Sequence, residues 1–396
     1  MPTRSARPWL GCSRRSSCCP PSTRSTSGPP TAHARTHDRL WCRSSSGCPA
    51  RNADLLTRCN TCVSICCMTY TVAPHADHGI FGPDSVTWKV YRFPTSVSVG
   101  FQRTALTEML DPFVVASVDD SGSLRDRPAV RYDRTLQYTG TLVFGGSAAA
   151  VEAADTLMRI HTHVRGVEPL SGTPYDPNDP AGQLWIHLTQ WHSVLYVYEK
   201  FGPGPLSPQE DEQYWAECRI AAAFQTIDPD TVPRNRAEMR AYYDRVRPEL
   251  AASPAAIEHV RIILDTANTV FSAAPGRLRV LRPALDLLAR KATIATLPRW
   301  MRAQLGIRQG AVTDVVVTAL LRPMFRIAAR RPQIMTEMLR TVSPLAYPVI
   351  APVALDVSPL NSETVPVDEA WRRAGRPTPR EQYLSSQVDR EAVAAR

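Results

Sequence analysis

Three short stretches of this 396-residue chain hold residue types and spacings that can do chemistry. In Arg131-Tyr-Asp-Arg134-Thr135, the i, i+3, i+4 spacing sets two guanidinium groups and a hydroxyl on one side of a helix. Tyr138 and Leu142 continue that side, so Arg131 and Thr135 share a stripe with residues expected to face inward. A buried Arg needs an anionic partner. Two readings follow: a structural ion pair with Asp119, Asp120 or Asp126, or a guanidinium facing a bound anion or a polar oxygen species.

The second stretch is Leu157-Met-Arg-Ile-His161-Thr-His163-Val164. His161 falls on the helical face marked by Ala150, Ala154, Leu157 and Val164, which makes its imidazole an inward one, while His163 points elsewhere. Such a histidine is either hydrogen-bonded core or an axial metal ligand, since a neutral imidazole on a rigid helix suits both roles. The third stretch, Trp185-Ile-His187-Leu-Thr-Gln-Trp-His192-Ser193, sits on a helix that Asn178 or Asp179 can cap. His187 and His192 are five residues apart, too far round a helix to chelate one metal as an i, i+4 pair does. Trp185 and His187 are read as pocket-lining side chains or as plain core.

The elements that must hold these residues are helices. From about residue 81 to 351 the apolar residues recur three and four apart, with Pro or Gly at the joints. The period predicts helices near 101–117, 129–144, 147–165, 180–201, 207–226, 234–249, 253–272, 278–293 and 311–341, the last open to a break at Pro323 or Pro332. Strand patterning is confined to weak signals at Val97 to Val99 and at the end of the chain. The expected fold is all-α, a single multi-helix domain over 68–355 large enough to bury a cofactor, followed by a polar, mobile tail over 356–396.

Composition divides the chain at Met68. The net charge is +9, yet residues 1–67 alone hold ten Arg and two Asp, leaving 36 basic against 35 acidic residues beyond them. The near-neutral body argues against a polyanion-binding protein, so no nucleic-acid partner is expected. Nine of the ten Cys also precede Met68, and the body keeps only Cys218, so a disulfide framework is not expected there. Residues 1–67 show neither helical nor strand periodicity and are expected to be a disordered extension, read here as translated from a start set upstream of Met68. In Cys59-Asn-Thr-Cys62 the spacing suits zinc, but the following Cys66 and Cys67 are adjacent and lack the two-residue gap. With neither a signal-like apolar run nor a spanning one, a cytoplasmic location is expected. The stretch from Val312 to Leu321, running on to Arg326, Arg330 and Arg331, fits a core helix better than one lying on a membrane surface.

Several catalytic templates are missing: a Gly-x-Gly-x-x-Gly after a strand, a phosphate-binding Gly-Lys-Ser/Thr, His-Glu-x-x-His and Gly-x-Ser-x-Gly. What is present is an ordered series: Gly82-Pro-Asp84-Ser85-x-x-Trp88, Leu110-Asp-Pro112, Arg131-x-x-Arg134-Thr135, Phe144-Gly145, His161-x-x-Val164-x-Gly166, Tyr175-x-x-x-Asp179-Pro180 and Trp185-Ile-His187. Over roughly residues 80–340 this series resembles the oxygenase family of the mycophenolate-pathway oxygenase and the latex-clearing rubber oxygenases, formerly a domain of unknown function.

The resemblance implies a globin-reminiscent, all-α domain holding haem b and using molecular oxygen on a hydrophobic substrate. By position, His161 is the expected iron ligand, and Arg131, Arg134 and Thr135 match the family's Arg-x-x-basic-Thr element on the other side of the haem. Arg131 and His187 are further expected contacts of the cofactor. The chain departs from the pattern at Asp111, where the family commonly has His, and at Arg134, where the rubber enzymes carry Lys. Because an extracellular polymer is an awkward substrate for a protein expected in the cytoplasm, a smaller lipid-like or isoprenoid-like molecule is expected rather than rubber itself. The alternative is a non-catalytic helical protein that carries haem or a lipid, with peripheral membrane contact.

Overall fold

The computed structural model describes residues 72–265, Val280 and 282–394. The unit that runs from Tyr70 to Arg396 is built of helices along its described length, as the periodicity predicts. Its regular strand content among the described residues is one two-residue pair, Gly166–Val167 antiparallel to Pro174–Tyr175. The expected extension over 1–67 and its cysteines lie outside the described residues, as do residues 266–272 of the helix expected over 253–272.

Three helices carry the candidate residues: α5 (Pro128–Phe144), α6 (Ser147–Thr162) and α7 (Pro180–Phe201). Two of them begin for a local reason. Pro128 and Pro180 occupy first turns, where a missing N–H loses no hydrogen bond, and Asp179 accepts from the amides of Ala181 and Gly182 at 3.0 and 3.1 Å. Gly145 and Gly146 part α5 from α6. Ser147 does not cap α6. Asp77, seventy residues upstream, accepts from the Ser147 amide and hydroxyl, both at 2.7 Å. The chain reaches that point through Gly79, whose φ of +69° and 2.2 Å approach of a would-be Cβ to the Gly145 carbonyl leave room for glycine alone.

Around these, α1 (Val86–Tyr91), α2 (Phe101–Glu108), α3 (Pro112–Asp120) and α4 (Ser123–Asp126) precede α5. The helix expected over 101–117 is thus broken at Asp111-Pro112, where Asp111 caps α3 by accepting from Phe113 and Val114 at 2.8 and 3.0 Å. Val97 to Val99, the weak strand candidate, lies in a π-helical turn. After α7 come α8 (Pro208–Ala221), α9 (Arg236–Val246) and α10 (Pro254–Leu264), then α11 (Arg282–Thr296) and α12 (Arg299–Gln304). The stretch expected over 311–341 is two helices, α13 (Ala311–Ala329), continuous through Pro323, and α14 (Pro332–Val342).

Beyond α15 (Tyr347–Ala354), where a polar and mobile tail is expected, the chain forms α16 (Val367–Ala374) and α17 (Pro379–Ala394). Trp371 of α16 is buried beside Phe224, and Arg376 bonds to Asp155 of α6. Among the described residues, no helix is long and apolar enough to cross a membrane.

Candidate functional site

Helices α2, α3, α5, α6, α7 and α10 enclose a cavity of about 600 Å³. That volume is within the range of about 300–1,000 Å³ over which proteins enclose cofactors and ligands. Most of its wall is apolar, including Val97, Phe101, Ala105, Val118, Leu136, Leu157, Ile186, Val194, Ile263 and Ile350. Phe113, Val130 and Ile160 line it while remaining exposed, and so mark its open side.

Arg131, Arg134, Thr135 and Tyr138 all line this cavity, as the stripe on α5 predicts; Leu142 does not. Buried contacts on both sides of that face hold α5 down. Tyr132 donates to the Val97 carbonyl at 2.6 Å, and Asp133 accepts from Ser343 and from the amides of Leu345 and Ala346. The cavity face is therefore fixed by these contacts. The ion pair weighed for Arg131 is not formed: Asp119 engages Arg125 and His259, Asp120 accepts from the Tyr175 hydroxyl, and Arg131 makes no salt bridge among the described residues. Arg131 donates instead to the Ser123 hydroxyl at 2.7 Å. Burial pulls its guanidinium pKa down, and the charge of Glu108 partly restores it. Thr135 donates to the Arg131 carbonyl of its own helix and, contrary to the inward place expected of it, is exposed, as is Arg134, both at the open side.

His161 stands in the last turn of α6, half-buried, in the cavity wall. Its Nδ1 lies 3.4 Å from the Gln183 amide nitrogen, and burial lowers its pKa below 6.5, so the ring is neutral at neutral pH. His163 is exposed, with its Nδ1 2.8 Å from the Arg159 carbonyl, and takes no part.

His187 is placed elsewhere. Helix α7 turns Gln183, Ile186, Gln190 and Val194 to the cavity, one face of a 3.6-residue period. His187 falls off that face and is buried against α8, its Nε2 2.9 Å from the Cys218 carbonyl and 3.4 Å from the Cys218 sulfur. Trp185 is likewise absent from the cavity lining and packs on Tyr243. His192 is apart from both, near Arg103 and Tyr243.

One cavity group, Glu108, was not anticipated from the sequence, and a second, Tyr138, was anticipated in place but not in state. Glu108, the last residue of α2, lines the wall, and its carboxyl is pushed up to about 8 by burial, against the pull of Arg131. A lone acid among Leu106, Met109 and Leu110 just before a Pro break was the available sign. The Tyr138 hydroxyl also lines the cavity and is buried without a hydrogen-bond partner. A buried hydroxyl left in this state needs a partner from whatever fills the space.

Among the described residues no three His, Cys, Asp or Glu side chains converge as a cage for a bare metal ion. His161 is the imidazole of the cavity wall, and Glu108 and Asp176 are its carboxyl groups.

No curated protein and no solved structure matches the chain. The catalytic-domain family described as ER-bound oxygenase mpaB/B'/Rubber oxygenase matches residues 88–330, which takes in every element that walls the cavity from α2 to α10, and the chain belongs to that family of oxygenases.

Proposed function

We propose that this oxygenase domain is haem-dependent, that His161 ligates the iron, and that the substrate is a hydrophobic, isoprenoid-like molecule. One observation carries the reading: a neutral imidazole, a guanidinium without an acid partner and an unsatisfied tyrosine hydroxyl meet in the wall of one apolar cavity. These residues fit a haem. His161 would hold such a group by its imidazole, and the apolar lining would take its hydrophobic face. When bound, it would supply the iron centre at which molecular oxygen is used.

The remaining chemistry belongs to the chain. The Arg131 guanidinium, steadied by Ser123, offers fixed positive charge to an oxygen atom or a carboxylate in a site largely shielded from water, where such a charge acts more strongly than in bulk. Glu108 retains its proton at neutral pH and so can donate a hydrogen bond in the same space. The apolar lining excludes water and admits a hydrocarbon chain through the side marked by Phe113, Val130 and Ile160. Arg134, exposed there, is set to meet a polar head or an anionic side group of a bound molecule.

The test is the absorption spectrum of the full chain from cells supplied with a haem precursor, beside His161→Ala. A Soret band in the parent that disappears in the variant, with helical circular dichroism unchanged, supports the assignment. An undiminished band in the variant refutes His161. A colourless parent that also fails to take up added haem refutes the cofactor.

A further inference from the structure

Helix α13 buries Val317 and Leu321 and packs Phe325 against Phe201. A core helix would leave charged groups on its other side. This one leaves Val312, Val315, Leu320, Met324 and Ile327 exposed, and α14 continues the row with Ile334. Val312 is 78% exposed and Ile327 is 61% exposed, so the row is open along the whole helix rather than at one end. With Val316 also exposed, the residues from Val312 to Ile327 follow one another at steps of one to four and cover one side of α13. A contiguous apolar surface of this kind marks an interaction site.

The charges around the stripe indicate what covers it. Residues 282–345 hold eleven Arg and Lys against three Asp and Glu, or +8, although residues 68–396 together carry only +1. That excess is shared along the segment, +5 on residues 282–310 and +3 on residues 311–345, which expose the stripe. The three acids are engaged: Asp314 pairs with Arg302 at 2.9 Å, Glu337 pairs with Arg340 at 2.6 Å, and Asp286 also has a partner. Arg308, Arg330 and Arg331 are exposed and form no ion pair among the described residues. Arg322 and Arg326 donate to the Gly202 carbonyl at 3.4 and 3.3 Å, which ties the helix to the body while leaving their charge unneutralised.

We propose that α13 and the start of α14 dock on an anionic lipid surface, with the stripe entering the acyl boundary and Arg308, Arg330 and Arg331 meeting the headgroups. A second copy of this chain is the poorer occupant, because a symmetric pairing would bring the unpaired Arg308, Arg330 and Arg331 of one copy near those of the other. The docking does not depend on the haem reading, and its test does not use the cofactor.

The experiment is flotation of the full chain with vesicles of phosphatidylcholine alone or mixed with phosphatidylserine. The serine-lipid vesicles should carry the protein, and the neutral ones should carry several-fold less. Leu320→Glu/Ile327→Glu should release it. Arg308→Gln/Arg330→Gln/Arg331→Gln should lower partitioning by roughly a hundredfold, at about fivefold for each cation near an anionic surface. The second variant changes exposed side chains alone, so it decides the matter even if the first proves poorly folded by circular dichroism. Failure of the parent to float overturns the proposal. So does flotation undiminished in the arginine variant, as the ten Arg of residues 1–67 would give by themselves. A dimer by light scattering that Leu320→Glu/Ile327→Glu dissociates, with no vesicle binding, assigns the face to a second copy instead.

Discussion

Glu108 and Arg131 stand in the wall of one cavity, and the charge on each bears on the ionisation of the other, yet they form no ion pair. Burial dominates both, raising the carboxyl from 4.5 to about 8 and lowering the guanidinium. In the unfolded chain Glu108 loses its proton at the ordinary carboxylate pH. In the fold it keeps that proton to about 8, so between these limits the native state binds more protons. Its contribution to stability is complete below pH 4.5 and is lost as pH rises through about 8. Melting temperature followed against pH should therefore fall more steeply for the parent than for Glu108→Gln. Arg131→Gln should push the carboxyl higher still, readable from its infrared band. Parallel pH profiles for parent and Glu108→Gln would remove the buried acid from the account.

His161 carries a prediction of the opposite sign. Burial lowers its pKa below 6.5, so the neutral, ligating form persists into mildly acidic solution. Spectroscopic titration of the haem-supplied protein should place the loss of the histidine-ligated spectrum below pH 6.5. A midpoint above that value would mean that the ring is easier to protonate than its setting allows.

Tyr138→Phe should separate the empty cavity from the filled one. An unpartnered buried hydroxyl costs about 1–3 kcal/mol, so its removal should leave the ligand-free protein equally stable or raise its melting temperature. If the hydroxyl bonds the bound group, the same change should weaken haem retention by about five- to a hundredfold. A variant less stable without ligand would show that the hydroxyl already has a partner.

How much of this was legible depended on whether the signal was local. The bounds of α5, α6 and α7 were readable within a few residues because Pro128, Pro180 and the Gly145-Gly146 joint sit at their ends. Helical period alone put Arg131, Thr135, Tyr138 and His161 on inward faces, and all four line one cavity, although Thr135 is exposed at its open side. The same period, applied to Gln183, Ile186, Gln190 and Val194, separates His187 from that cavity; weight given to its residue type hid this. Glu108 was missed because a single acid at the end of an eight-residue helix leaves no periodic trace. The Asp77 cap joins residues seventy apart, which no window sees. On α13 the pattern was apolar on both sides, and sequence cannot say which side the core takes.

The helices beyond Leu360 were hidden for a related reason: α16 offers a narrow apolar face, and its counterpart lies far back in the chain. Trp371 is 4% exposed, its ring centre 6.3 Å from that of Phe224, while Arg376 reaches Glu152 and Asp155 and Arg380 reaches Asp228 at 2.7 Å. The exposed ion pairs are worth little each, whereas emptying the Trp371 site removes a large buried ring at about 3–5 kcal/mol. Trp371→Ala should therefore lower the melting temperature markedly and open the segment after Leu360 to proteolysis, while Arg376→Gln should move it only slightly. Trp371→Phe should hold most of the stability, because the indole N–H has no partner to lose. Equal protease resistance in the parent and Trp371→Ala would show that the ion pairs, rather than the ring, fasten these helices to α6.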